Sequence, residues 1–184
     1  MRYIKVTLIV LVLLYAQMAY AVTSKQYVNP ETAITFGDSA QSPSATMALT
    51  GLVSGAGRVS ARFDRGAGAH AAEYEWRCTI TLTGTNVVDA TVEVYISSSD
   101  GTDPDGEIGT ADAALTTSKR KNLKFIGVVV VDQTATNTNI TGSGLVWIPS
   151  RYMSLGLWNA TTLPFQTSTT ANHCSLTPMP NEIQ

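Results

Sequence analysis

The feature that most constrains this chain is the run at residues 74–83, in which apolar and polar side chains alternate. Its apolar members are Tyr74, Trp76, Cys78, Ile80 and Leu82. A period of two places alternate side chains on opposite faces of a strand, whereas helical spacing would mix Arg77 with the apolar residues. At about 3.3 Å per residue the run spans about 33 Å. It therefore predicts a long central strand with aromatic residues in the core.

Shorter alternating runs recur between residues 33 and 177, and turns rich in Gly, Pro, Asn and Thr separate them. The interval 98–122 is the longest without such a run, so we expect an exposed loop at one end of the domain, with Thr110 capping a short helix. Regularly spaced short strands are typical of sandwiches. The sequence predicts an all-β fold, a jelly-roll-like β-sandwich of about eight or nine strands with one long loop that carries this short helix.

Length and composition predict one domain behind a short leader. Residues 1–21 have a basic start, an apolar stretch and a small-x-small motif ending at Ala21, which together resemble a signal peptide. The alternative is a misassigned upstream start, with Met18 as the true one. The predicted organisation is completed by an N-terminal arm at 22–32, a β-sandwich domain at 33–180 and a tail at 181–184.

The net charge argues against two classes of partner, nucleic acids and anionic membranes. The whole chain carries a net charge of −2, and removing the basic leader makes the remainder more acidic. An acidic domain has no electrostatic reason to bind nucleic acid or an anionic membrane. The basic cluster at 119–121, with Lys124 nearby, is expected to be a solvated loop. We therefore expect no nucleic acid, and no membrane contact after removal of the leader.

Two cysteines, Cys78 and Cys174, fall on inward-facing positions of separate predicted strands. In an exported domain they would permit one disulfide. Pairing needs Cα atoms about 4.4–6.8 Å apart, so the first and last core strands would have to be neighbours or face each other. The alternative is two separate buried thiols, the state expected of a chain that starts at Met18 and stays in the cytosol.

Carboxylates are concentrated in the loop at 99–107. The calcium candidates are Asp100, Asp103, Asp105 and Glu107, but they meet only half of the helix-flanked loop pattern, so a polar turn is the preferred interpretation. His70 and His173 lie near no nucleophile motif, and zinc, dithiol and phosphate-loop patterns are absent. We predict no catalytic residues, no cofactor and no enzyme, although a glycosidase with two distant carboxylates stays open.

A run of four valines is the main candidate for an interface. Val128, Val129, Val130 and Val131 are apolar on both faces of their predicted strand. Such a strand is covered on both sides, by the second sheet or by a partner subunit. Tyr95 lies on the polar face of another strand and is a second interface candidate. The tryptophans Trp76, Trp147 and Trp158 all fall in predicted strands, so we expect them in the core.

Four segments occur in an order that carries a resemblance: IGTADAAL at 108–115, NLKFIG at 122–127, SRYMS at 150–154 and WNATT at 158–162. Together they resemble small β-rich structural proteins encoded in the virion gene blocks of tailed bacteriophages. The resemblance covers roughly residues 70–180. It implies a non-enzymatic virion protein, an auxiliary or decoration protein or a minor tail component, that packs onto copies of itself or onto other virion proteins as a homo-oligomer or particle-bound subunit.

The leader is the departure from this pattern, because virions assemble in the host cytosol. The alternative function is an exported bacterial β-sandwich, periplasmic or extracellular, that binds a glycan or another surface ligand.

Overall fold

The computed structural model describes residues 31–68, 70–99 and 109–179. The predicted leader at 1–21 and the tail at 181–184 lie outside the described residues. Within the described residues there are eleven strands: β1 (Ile34–Gly37), β2 (Ala45–Thr46), β3 (Gly57–Val59), β4 (Phe63–Asp64), β5 (Glu73–Thr81), β6 (Thr91–Ser99), β7 (Ala113–Leu115), β8 (Lys124–Val130), β9 (Asn139–Trp147), β10 (Tyr152–Asn159) and β11 (His173–Pro178). A 3₁₀ turn (Ser39–Gln41) and one short helix, α1 (Thr117–Arg120), are the described helical elements.

The strands form two sheets. Sheet A has the order β2-β1-β11-β5-β9, and sheet B has the order β7-β3-β10-β6-β8, with β4 paired to β10. All the pairings are antiparallel except that of β1 with β2. The two sheets bury a single large apolar cluster to which both contribute.

The connectivity is that of a jelly roll. With the short strands β2, β4 and β7 set aside, eight strands remain, and the first pairs with the last, β1 with β11. The second pairs with the seventh (β3 with β10), the third with the sixth (β5 with β9) and the fourth with the fifth (β6 with β8). One long antiparallel hairpin rolled into two four-stranded sheets gives this order. The predicted jelly-roll-like β-sandwich is confirmed.

The run at 74–83 forms the central strand β5, between β11 and β9. Tyr74, Trp76, Cys78 and Ile80 are buried, and the residues between them are exposed or half-buried. Alternation therefore predicted the inner face correctly.

The described part of the long interval differs from the prediction. Instead of a helix capped by Thr110, the chain adds the edge strand β7 and then α1, whose N-cap is Thr116; its side chain accepts a hydrogen bond from the Lys119 amide. Residues 109–123 follow the edge of sheet B as β7 and then cross its outer face. Their Leu115 and Leu123 form a second, smaller apolar cluster with Val59, Tyr95 and Trp158. Most side chains of this segment are exposed. In the described part of the chain, no helix has the length and apolarity needed to cross a bilayer.

Candidate functional site

The valine run alternates between the core and the surface. Val129 and Val131 are fully buried, whereas Val128 is half-buried and Val130 is 43% exposed. Val128 and Val130 lie opposite Glu93 and Thr91 of β6, on the outer face of sheet B. The second sheet therefore covers one side of the run and leaves the other side open.

A β-bulge adds an aromatic residue to that outer face. Gly127 pairs with Val94 but Phe125 pairs with Tyr95, so Ile126 is an extra residue in β8. One extra residue reverses the alternation, and Phe125 therefore points outward, 55% exposed. We call Phe125, Val128 and Val130 the β8 stripe. It lies on an edge strand of sheet B.

Tyr95, predicted to be exposed or at an interface, lies on this outer face but is only 8% exposed. The crossing segment at 109–123 covers it, and Phe125 packs edge-on against its ring with centroids 5.5 Å apart. Its hydroxyl donates to Glu93 Oε2 at 2.5 Å. Burial, and then this hydrogen bond, raise the pKa of Tyr95 to about 12. Tyr95 is therefore not exposed, because a segment that no local pattern predicted lies over it, and its role at an interface stays a prediction.

Arg120 was predicted to lie in a solvated basic loop, but its side chain packs against sheet B. Its guanidinium donates to Glu93 Oε2 at 2.8 Å and lies 4.3 Å from the centre of the Trp158 ring. An arginine over a tryptophan face makes a favourable cation–π contact. Lys121 and Lys124 are exposed, as expected. Arg120 thus anchors α1 to sheet B.

Trp147 is 55% exposed, although it was predicted to lie in the core; Trp76 and Trp158 are buried as predicted. In β9 the side chains of Ile140 and Val146 face inward, so Trp147, next to Val146, faces outward. The alternation set by Ile140 and Val146 was therefore a sequence signal that could have predicted the exposure of Trp147. Trp147 borders a groove of about 230 Å³ whose other lining residues are Ile96, Ser97, Ser98, Asn122, Lys124, Ile148 and Pro149.

Cys78 and Cys174 are joined by a disulfide in the structure. They lie directly opposite each other on β5 and β11, and both are buried. The two strands that contain them, β5 and β11, are thus neighbours in sheet A, as pairing requires.

A polar cluster that the sequence did not reveal surrounds Glu31. This carboxylate accepts hydrogen bonds from Arg65, at 3.3 Å, and from the Tyr74 hydroxyl, and it bonds to His70 Nδ1. Burial alone would raise the pKa of Glu31, but the bonds to Tyr74, Arg65 and His70 outweigh it and hold the pKa below its ordinary value. Arg65 also donates to the carbonyls of Ile148, Ser150 and Ala71. No local pattern could predict a cluster whose members are 34 to 43 residues from Glu31.

The calcium candidates Asp100, Asp103, Asp105 and Glu107 lie outside the described residues. Among the residues that are described, no group of three or more His, Cys, Asp or Glu side chains could hold a metal ion. His173 is exposed, at the start of β11.

These features define a jelly-roll β-sandwich with an apolar edge strand and a separate aromatic groove. No family model matches the chain, and no curated protein matches it in sequence. A solved structure to which it is similar is that of the Clostridium thermocellum N-terminal endo-1,4-beta-D-xylanase 10B, CBM22-1-GH10 modules, complexed with xylohexaose. The identity is 12% and the TM-score 0.34, over 87% of this chain and 28% of that one. A likeness at this TM-score carries no argument about either fold or ligand.

Proposed function

We propose that this protein is a non-enzymatic structural subunit of a bacteriophage virion, an auxiliary or decoration protein or a minor tail component. The observation that carries the proposal is the β8 stripe: three outward apolar side chains on an edge strand of a jelly roll. Exposed edge strands are usually protected by charged side chains, and exposed apolar patches mark interaction surfaces. The order of segments at 108–162, which resembles small virion proteins, gives independent support.

Because the β8 stripe is apolar, we expect the partner surface that covers it to be apolar as well. Full burial of a Val or Phe side chain contributes about 1.5–3 kcal/mol. Phe125 and Val130 are about half exposed, so each has part of that free energy left to gain on contact. A second copy or a virion protein that covers the stripe would supply it. Jelly rolls occur in viral capsid proteins and also in lectins, so the fold alone is only an analogy.

The test is the oligomeric state of the chain from residue 22 onward, together with its presence in particles. Sedimentation over a concentration series is expected to show self-association, and Val130→Asp is expected to weaken it by about tenfold or more, because a charge replaces an apolar contact. Leu145→Asp is the matched control, since Leu145 is 68% exposed on β9 of the other sheet. A strict monomer at high concentration, combined with absence from purified virions, would contradict the proposal.

A second candidate, an exported β-sandwich that binds a surface ligand, is favoured by one specific observation. The buried Cys78–Cys174 disulfide is typical of oxidising compartments and rare in the cytosol. Thiol counting on denatured, unreduced protein from its native source distinguishes the two settings. No free thiols would support export, provided a non-reducing gel excludes linked dimers, and two free thiols would reject it.

A further inference from the structure

We propose that the groove beside Trp147 binds one ring of an acidic carbohydrate, such as a hexuronic acid at the end of an oligosaccharide. The inference gives a site and a ligand class to the second candidate function and does not depend on self-association through the β8 stripe. The central residue of the groove is Trp147, whose indole is more than half exposed at the last position of β9. A pyranose ring presents an apolar face of C–H bonds, and an exposed indole is the amphipathic surface on which such a face packs.

The groove supplies polar groups beside the indole. Ser98 contributes a hydroxyl, Asn122 an amide and Lys124 an ammonium group. Hydroxyls and amides both donate and accept hydrogen bonds, as sugar hydroxyls do, so these three side chains complement the edge of a ring stacked on Trp147. Ile96, Ile148 and Pro149 give the groove an apolar wall. A few convergent polar groups on an apolar wall are typical of small-molecule sites.

The size of the groove limits the ligand. Its volume is about 230 Å³, below the roughly 300–1,000 Å³ of pockets that enclose drug-sized ligands. It has room for one ring, and the remaining sugars of an oligosaccharide would extend into solvent.

The charge of the groove selects the acidic class. Lys124 is the only titratable side chain among the described residues that line it, and no described carboxylate lines it. An ammonium–carboxylate hydrogen bond is charge-assisted and stronger than a neutral one. A sugar that carries a carboxylate therefore gains a contact that a neutral sugar of the same size does not. Single-stranded nucleic acid could also stack on Trp147, but it needs a positively charged groove that follows several phosphates, and the described lining of this groove has one cationic side chain, Lys124.

Collisional quenching of tryptophan fluorescence reports this groove selectively. Of the three tryptophans, Trp76 and Trp158 are 2% and 8% exposed, so a soluble quencher such as acrylamide reaches Trp147 first. Galacturonic acid oligomers are expected to protect the fluorescence in a saturable way, with affinity at least fivefold higher than neutral galactose oligomers of the same length. Lys124→Gln is expected to abolish that preference.

Isothermal calorimetry with the same oligomers measures the affinity of a variant that lacks the Trp147 indole. Trp147→Ala is expected to lose at least tenfold in affinity, and because the side chain is exposed, its melting temperature should match that of the wild type. Leu145→Ala is the matched control, since Leu145 faces outward two residues earlier on β9 and does not line the groove. This control is expected to bind as the wild type does.

Four results would overturn the inference. Absence of saturable binding to either oligomer at about 10 mM would remove the site, as would Trp147→Ala binding as tightly as the wild type. Equal affinity for acidic and neutral oligomers would reject the acidic class. Tighter binding of an oligothymidylate than of the galacturonate oligomer would assign the groove to nucleic acid instead. Sedimentation of the same samples tests the β8 stripe separately, so a failure of either proposal is distinguishable from a failure of the other.

Discussion

Two glycines make room for the largest aromatic side chain of the core. A Cβ atom added at Gly144 would lie 2.7 Å from Trp76 Nε1, and one added at Gly127 would lie 2.5 Å from Trp76 Cζ2. Both distances are shorter than any ordinary contact, so Trp76 can lie between β8 and β9 only because neither position carries a side chain. Glycine at these positions is a packing requirement of the neighbouring indole.

We expect Gly144→Ala to destabilise the protein by about 1–3 kcal/mol, because an overpacked core forces side chains off their rotamers or shifts the backbone. The measurement is the urea midpoint of unfolding, followed by circular dichroism. Ser143→Ala, at the exposed neighbouring position of β9, is the control and should change stability by less than about 0.5 kcal/mol. Equal effects of the two substitutions would show that the indole does not require the space.

At the scale of elements, Arg120 holds α1 against sheet B. Arg120 contacts Glu93 and the Trp158 ring, and the segment that it anchors packs Leu123 in the same apolar cluster as Tyr95. Short segments with few buried residues are the first to open. The crossing segment therefore depends on the Arg120 contacts more than a longer element would.

Arg120→Met is expected to cost about 1–2 kcal/mol, from the lost cation–π contact and a partly exposed ion pair. In a Trp147→Phe background, which removes the most exposed tryptophan, it should also increase the quenching of Trp158 by acrylamide, since the ring loses its cover. Lys121→Met is the matched control because Lys121 is the exposed neighbour in the same turn. If acrylamide quenches the fluorescence of the Arg120→Met and Lys121→Met variants equally, Arg120 does not anchor the segment.

The disulfide joins β5 to β11 across 96 residues of sequence. Closing so long a loop lowers the entropy of the unfolded chain, and bridges of this kind typically stabilise by about 2–4 kcal/mol. We expect the double variant Cys78→Ala/Cys174→Ala to lose about that much, measured as the shift in urea midpoint. The control is the wild type under a reductant: because both half-cystines are buried, it should resist reduction until it unfolds. A double variant as stable as the wild type would contradict this role.

At the scale of the whole molecule, Glu31 ties the start of the described chain to distant segments. It bonds to Arg65, His70 and Tyr74, and Arg65, with a side chain only 1% exposed, continues to the carbonyls of Ile148 and Ser150. A carboxylate that keeps its charge at such a junction couples the stability of the fold to pH.

The folded state lowers the pKa of Glu31 from its ordinary value of 4.5. A depressed pKa means that the stabilisation is present above 4.5 and is lost as the pH falls through the lower folded-state value. We expect the urea midpoint of the wild type to fall between about pH 6 and about pH 3, and Glu31→Gln to be less stable at pH 6 and to depend less on pH. Glu73→Gln, at an exposed carboxylate on β5, is the control. A wild-type pH dependence that Glu31→Gln leaves unchanged would exclude Glu31 as its source.

The sequence by itself determined most of the longer strands and the inner face of β5, because alternation is local: it identified Tyr74, Trp76, Cys78 and Ile80 as core. It also limited Cys78 and Cys174 to inward positions, since phase within a strand depends only on nearby residues. Even the exposed Trp147 had a readable phase, set by Ile140 and Val146. The two-layer architecture followed, because many short amphipathic strands can bury their apolar faces only against each other.

What only the tertiary structure decided depends on residues far apart in the chain. The bulge in β8 turned Phe125 outward, and the crossing segment at 109–123 covered Tyr95; both depend on which segments lie against β6. The cluster around Glu31 required the roll to bring segments 34 to 43 residues apart together. Which strands pair, and which segments cover a sheet face, depend on competition among contacts between residues far apart in the sequence. A periodicity of two indicates only which face of a strand is buried, not which segment buries it.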